Sequence, residues 1–212
     1  MNIATTQGQP KGQTKTLSLP NILTCARILA IPVVIGCIFM QSKEGPLWLR
    51  WVAVAIFIAA GVTDYLDGYY ARIWNQQSAF GRMLDPIADK LLVASCLLVL
   101  AADGTINNWS LWAAVVIMCR EILVSGLREY LAALRVSVPV TKLAKWKTTI
   151  QLVAIGFLLA GEAGDQVAPA SLGPIVSLTG IVLLWMSAIF TIYTGWDYFR
   201  AGIHHLIKED EG

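Results

Sequence analysis

The chain has 212 residues, 56% of them hydrophobic and only 14% charged, whereas an average soluble domain is about 25% charged. With a mean hydropathy of +0.61, that composition excludes an ordinary soluble domain, and a net charge of +2 gives no basis for nucleic-acid binding. Residues 51–63, 91–102 and 166–196 contain no charge at all. A bilayer crossing takes about 20 mostly apolar residues, so the reading is all-α: a polytopic membrane protein with six transmembrane helices.

In chain order, residues 1–18 are polar, carry Lys11 and Lys15 and lack the apolar core of a signal peptide. They are expected to form a flexible cytoplasmic tail ahead of one membrane domain, residues 19–205. The first helix is predicted over 21–40, with Pro32 as a kink site. The second runs over 47–73 after the linker QSKEGP. The polar loop WNQQSAFGR leads to the third, 83–102, with Pro86 in its first turn, where proline is tolerated. The fourth is predicted over 109–134, the fifth over 143–160 and the sixth over 174–205, with GEAGDQVAPASLG as the loop between the last two. Residues 206–212 form a second cytoplasmic tail. The four cysteines, Cys25, Cys37, Cys96 and Cys119, sit in apolar segments and read as small buried hydrophobes.

Six crossings place both termini on one side, with Lys11, Lys15, Arg72, Arg82, Arg135, Lys142, Lys145, Arg200 and Lys208. The other side has only Lys43 and Arg50 as cations. The positive-inside rule makes the first side cytoplasmic. Trp48, Trp51, Trp109 and Trp112 suit an interfacial aromatic belt.

The stretch TDYLDGYYARIWNQQSAFGRMLDPIADK, residues 63–90, sets Asp64, Asp67, Asp85 and Asp89 at this cytoplasmic edge. Helix residues three, four and seven apart share a face. Asp64, Asp67, Gly68 and Ala71 have that spacing, as do Gly81, Asp85 and Asp89, so two carboxylate pairs can face each other across a helix pair. Converging carboxylates near lipid require positive charge. All-oxygen ligation suits a hard divalent cation such as magnesium, calcium or manganese, and two metals clamp the oxygens of a phosphoryl displacement. The plain alternative is that the aspartates cap helices or pair with Arg72, Arg82 and Lys90.

The pattern D-x2-D-G-x2-A-R-x8-G-x3-D-x3-D is filled without departure by Asp64, Asp67, Gly68, Ala71, Arg72, Gly81, Asp85 and Asp89. It resembles the signature of the CDP-alcohol phosphotransferases, integral membrane enzymes of phospholipid synthesis. The resemblance implies that Asp64, Asp67 and Asp85 hold two Mg2+ or Mn2+ ions, with Asp89 as general base and a further contact to the second metal. It also implies a CDP-lipid site containing Asp64, Gly68, Ala71, Arg72 and Gly81, with Ser78 beside them. Pro20-Asn21-Ile22-Leu23-Thr24 resembles the family's further nucleotide-contacting segment, although Asn21 and Thr24 also read as helix N-caps. The implied setting is a homodimer in the bacterial cytoplasmic (inner) membrane, its active site facing the cytoplasm, with CDP-diacylglycerol as donor.

The acceptor has to be read from the later helices. Arg120 and Glu121 lie deep in the fourth helix, where ionisable groups face a partner or a polar cavity; they either lock the bundle or serve a ligand. Lys142, Lys145 and Lys147 follow, as an attraction for anionic lipid or, with Arg120, as a pocket for an acceptor phosphate. The segments NILTCARILAIP, REILVSGLREYLA and K-x2-A-K-x-K-T-x2-Q resemble the bacterial members of the family that use sn-glycerol 3-phosphate. That implies phosphatidylglycerol phosphate and CMP as products; inositol phosphate, serine or phosphatidylglycerol are the alternative acceptors. A cation channel or transporter is a reading from another class, but ionisable residues do not mark a path to the far side. A prenyltransferase would need a second aspartate-rich cluster in the later half, where only Asp165 and Asp197 occur between residues 104 and 207.

Overall fold

The computed structural model describes residues 19–74, 79–133 and 142–210, all strand-free among the described residues. Six helices follow one another: α1 (Leu19–Ser42), α2 (Trp48–Trp74), α3 (Ala79–Ala102), α4 (Ser110–Ala133), α5 (Lys142–Val167) and α6 (Ile175–Asp210), with a short 3-10 turn at Ala170–Leu172. Among the described residues, Ile22–Ser42, Ser110–Leu131, Trp146–Val167 and Ile175–Trp196 are long and apolar enough to cross a membrane. The predicted helices agree closely with the observed ones, with three extensions. α3 starts at Ala79, so Pro86 falls two turns inside it and leaves the carbonyl four residues back without a helical donor. α6 continues past residue 205 through Asp210. α5 runs through residues predicted as loop, across a kink at Gly161 (φ 42°, ψ −124°).

α1 packs on α2 and α3, α5 and α4 pack on α6, and α2 and α3 meet α5 in the middle. The shared core contains Val34, Ile38, Phe57, Leu97, Leu100, Ile117, Ile155, Leu158 and Leu184. α5 and α6 approach closely: a Cβ on Gly180 would stand 2.8 Å from Leu158 Cδ2, which is how small residues let membrane helices pack backbone to backbone. Asp165 of α5 then caps α6. Its Oδ1 accepts from the amides of Val176 (2.7 Å) and Ser177 (3.2 Å), satisfying donors that a helix start leaves unpaired. The outer surface is apolar. Leu29, Phe39, Leu98, Ile122, Leu123 and Ile189 are all more than half exposed, an arrangement that water would penalise and hydrocarbon does not. Trp48, Trp51, Trp109 and Trp112 are exposed near the starts of α2 and α4, as expected of an aromatic belt.

Opposite the aspartate-rich end, Arg50 ties the bundle together. It falls within α2, as the helix predicted over 47–73 has it, and it is only 5% exposed. Its Nη2 meets Asp103 Oδ2 at 2.5 Å, its Nε donates to Gln41 Oε1 at 2.8 Å, and its Nη1 reaches the Leu158 and Leu159 carbonyls at 3.4 and 3.5 Å. The kink at Gly161 turns those carbonyls towards the guanidinium. Only glycine suits it, because a Cβ there would stand 2.7 Å from Arg50 Nη1 and φ is left-handed. One side chain thus joins α1, α2, α5 and the α3–α4 connection. Removing one partner of a buried ion pair costs about 3–5 kcal/mol, whereas replacing both by apolar groups is often neutral. Asp103→Ala is therefore expected to lower Tm markedly in detergent, and Arg50→Met combined with Asp103→Leu to recover most of the loss; a thermal unfolding scan measures both.

Candidate active site

The signature aspartates lie on α2 and α3, and α1 is the element that joins them. Thr24 and Arg27 are three residues apart on α1, hence on one face, and both are buried, at 0% and 2% exposure. The Thr24 hydroxyl donates to Asp85 Oδ1 of α3 at 2.5 Å. Arg27 Nη1 lies 2.6 Å from Asp64 Oδ1 of α2. Three residues of helix rise about 4.5 Å, so α1 brings the two carboxylates to neighbouring levels of one site. Asp89, one turn beyond Asp85, stands close enough to Asp64, Arg27, Lys90 and Glu121 to feel their charges. Gly81 is buried in the first turns of α3.

A second polar group forms where α4, α5 and α6 meet. Lys147, 3% exposed, ion-pairs with Glu121 Oε1. Arg120 Nη1 is 3.7 Å from the same carboxylate oxygen, and Arg120 Nη2 donates to Thr194 Oγ1 at 3.0 Å. The arginine lies along α6 at Gly195, where a Cβ would stand 3.1 Å from Arg120 Cγ. Lys147 also falls within the electrostatic reach of Asp89 and Arg120. The two groups therefore lie within electrostatic range of each other through Asp89.

Of the residues singled out in the sequence, Asp64, Asp85 and Asp89 come together, and so do Arg120 and Lys147. Ser78 lies outside the described residues, as do the side chains of Asn21, Asp67, Ala71, Arg72, Lys142 and Lys145, and the surroundings of Gly68. Among the described residues no three metal-ligating side chains form a ready-made cluster. Thr24 sits in the second turn of a helix that starts at Leu19, so it is not an N-cap. Its hydroxyl serves Asp85.

Sequence reasoning missed Arg27, Thr194 and the part Glu121 plays in joining the two cations. Arg27 carried a usable signal: it is the only charge between Lys15 and Lys43, and an ionisable residue within a membrane helix is by default a functional candidate. Thr194 carried none, because a hydroxyl in an apolar helix is ordinarily satisfied by its own backbone. It does also donate to the Phe190 carbonyl at 2.9 Å.

The sequence matches the family model described as CDP-alcohol phosphatidyltransferase over residues 17–193. It is 40% identical to a CDP-diacylglycerol–glycerol-3-phosphate 3-phosphatidyltransferase of Cereibacter sphaeroides, over 91% of this chain and 98% of that one. A protein of the same name from Rickettsia bellii is 44% identical over 87% of this chain and 94% of its own. A cardiolipin synthase (CMP-forming) of Oryza sativa is 40% identical over 92% of this chain and 60% of its own length. The matched region takes in the whole aspartate signature, Arg120, Glu121 and Lys147 of the second polar group, and the face of α1 that serves the aspartates, and the chain belongs to the CDP-alcohol phosphatidyltransferase family.

Proposed function

We propose that this chain transfers the phosphatidyl group of CDP-diacylglycerol to sn-glycerol 3-phosphate, giving phosphatidylglycerol phosphate and CMP. The observation that supports this reading is the pairing of Asp64 and Asp85 with one face of α1, beside a buried Lys147–Glu121–Arg120 group, with Asp89 feeling the charges of both Asp64 and Glu121. A base for the acceptor hydroxyl belongs between the donor's diphosphate and the acceptor's phosphate, and we assign that part to Asp89. Relatives named for this reaction, alike over nearly their whole length, support it.

In the reaction, a hydroxyl oxygen of glycerol 3-phosphate bonds to the phosphorus that carries diacylglycerol. The bond from that phosphorus to the CMP phosphate breaks, and CMP leaves with the electron pair. Asp89 takes the hydroxyl proton, which requires hydrogen-bond reach in the bound complex. Arg120 and Lys147, with Lys142 and Lys145 nearby in sequence, bind the acceptor phosphate, arginine through its planar fork and lysine as point charge. Gly68, Ala71, Arg72, Gly81, Ser78 and Asn21 serve the CDP moiety.

Enzymes of this family generally use a divalent metal. An all-carboxylate donor set fits a hard cation, and Asp64, Asp67, Asp85 and Asp89 would hold two Mg2+ or Mn2+ ions. When bound, these offset the charge of the diphosphate and the departing phosphate.

The apolar exterior makes this an integral membrane protein. We place six crossings in the bacterial inner membrane, with both termini and the active site on the cytoplasmic side and a homodimer as the assembly. The charge asymmetry of the loops supports that orientation, and the family resemblance supports the dimer.

With the purified protein, CDP-diacylglycerol and magnesium, CMP release is expected with glycerol 3-phosphate in preference to inositol phosphate, serine or phosphatidylglycerol. Preference for any of these overturns the acceptor assignment. Asp89→Asn is expected to lower turnover by at least about 10²–10⁴-fold while CDP-lipid and metal binding stay detectable. Lys147→Met combined with Glu121→Gln, which removes the buried Lys147–Glu121 pair together, is expected to raise KM for glycerol 3-phosphate by about tenfold or more, with kcat less affected. Steady-state kinetics over an acceptor series separates the two effects.

A further inference from the structure

We infer that α1 is the outer support of the metal site: Arg27 and Thr24 are positioning residues that tether one oxygen each of Asp64 and Asp85 and so present the second oxygen to the cation. This rests on the reading of those aspartates as metal ligands.

The geometry is specific. Asp64 Oδ1 is held by Arg27 at 2.6 Å and Asp85 Oδ1 by Thr24 at 2.5 Å. The two donors occupy one face of one helix, and each reaches a different neighbouring helix. The Asp64 side chain is 47% exposed while the Arg27 side chain is 1% exposed, so the immobile member of the pair is the arginine. A guanidinium enclosed in an apolar helix cannot swing out to water, so it serves as a rigid post. A half-exposed carboxylate with free rotamers would have to be ordered by the cation itself. Partners of this kind outside the ligand sphere typically account for 10–100-fold in metal affinity.

Arg27 also feels the charge of Asp89, so it partly offsets the mutual repulsion of Asp64 and Asp89. Its own repulsion of an incoming cation acts the other way. Any gain in affinity from Arg27 therefore comes from the orientation it gives Asp64, and that ordering is expected to outweigh the repulsion. Thr24 carries no charge, so its contribution is orientation alone. That separates the two effects experimentally.

The test is Mn2+ binding to the full-length, detergent-purified protein without nucleotide or acceptor, followed by the electron paramagnetic resonance of free Mn2+. Thr24→Val and Arg27→Met are each expected to weaken Mn2+ binding by about tenfold or more. Thr24→Ser is expected to stay within about twofold of wild type and Arg27→Lys to fall between, since each keeps the donor. Wild-type affinity in Thr24→Val overturns the tether to Asp85, and tighter binding in Arg27→Met shows that the arginine only repels the cation. If Arg27→Met does not fold, Thr24→Val against Thr24→Ser still decides whether α1 orients the ligands. A wild-type protein that binds no Mn2+ overturns the metal reading itself, whereas a wild-type site with indifferent variants overturns only the role of α1. Loss of CDP-lipid affinity in Thr24→Val at unchanged Mn2+ affinity would instead make Thr24 a nucleotide contact and sink the proposal.

Discussion

An ionised side chain below the membrane surface cannot reach bulk water, so it must find its counter-charge inside the protein. Much of this structure follows from that constraint. Three buried cations each meet it by bridging helices. Arg27 joins α1 to α2 through Asp64, Arg50 joins α2 to Asp103 and to carbonyls of α5, and Lys147 joins α5 to Glu121 of α4. Apolar packing alone does little to specify which membrane helix lies beside which, because lipid tails are as apolar as leucine. The ion pairs supply that specificity.

The pairs divide into two kinds by position and use. Arg50 lies at the end opposite the signature, is enclosed by Gln41, Asp103, Thr105 and two backbone carbonyls, and acts as a structural pin around a kinked α5. Arg27 and Lys147 lie within electrostatic range of Asp89 and hold Asp64 and Glu121, carboxylates to which we assign part of the site. The pin leaves the opposite end of the bundle free to be built from charged groups, which on their own would tend to splay the helices. Cations of similar burial thus serve rigidity at one end and reactivity at the other.

Much of the fold was legible beforehand. Charge-free runs of membrane length and proline- and glycine-bearing loops located all six helices to within a few residues at most ends. The exception is the start of the α5–α6 connection, where Glu162 and Asp165 read as loop charges. α5 persists there because Asp165 is consumed in capping α6 and Gly161 permits a kink without ending the helix, neither of which has a local signature. Arg50 was placed in the second helix, but nothing near it in the sequence announced its burial or its partner Asp103, 53 residues later.

The sequence by itself pointed to the reaction class, because eight signature positions within 26 residues of chain resemble those of a known enzyme family. The helical repeat showed that Asp64 and Asp67 share one face and Asp85 and Asp89 another. Only the tertiary structure decided which residues from distant segments attend them. Arg27 precedes Asp64 by 37 residues and Thr24 precedes Asp85 by 61, and Lys147 and Glu121 come from helices separated by a loop. Such pairings have no period to reveal them. They are chosen by how the helices cross and by the requirement that every charge in the bundle be answered from within.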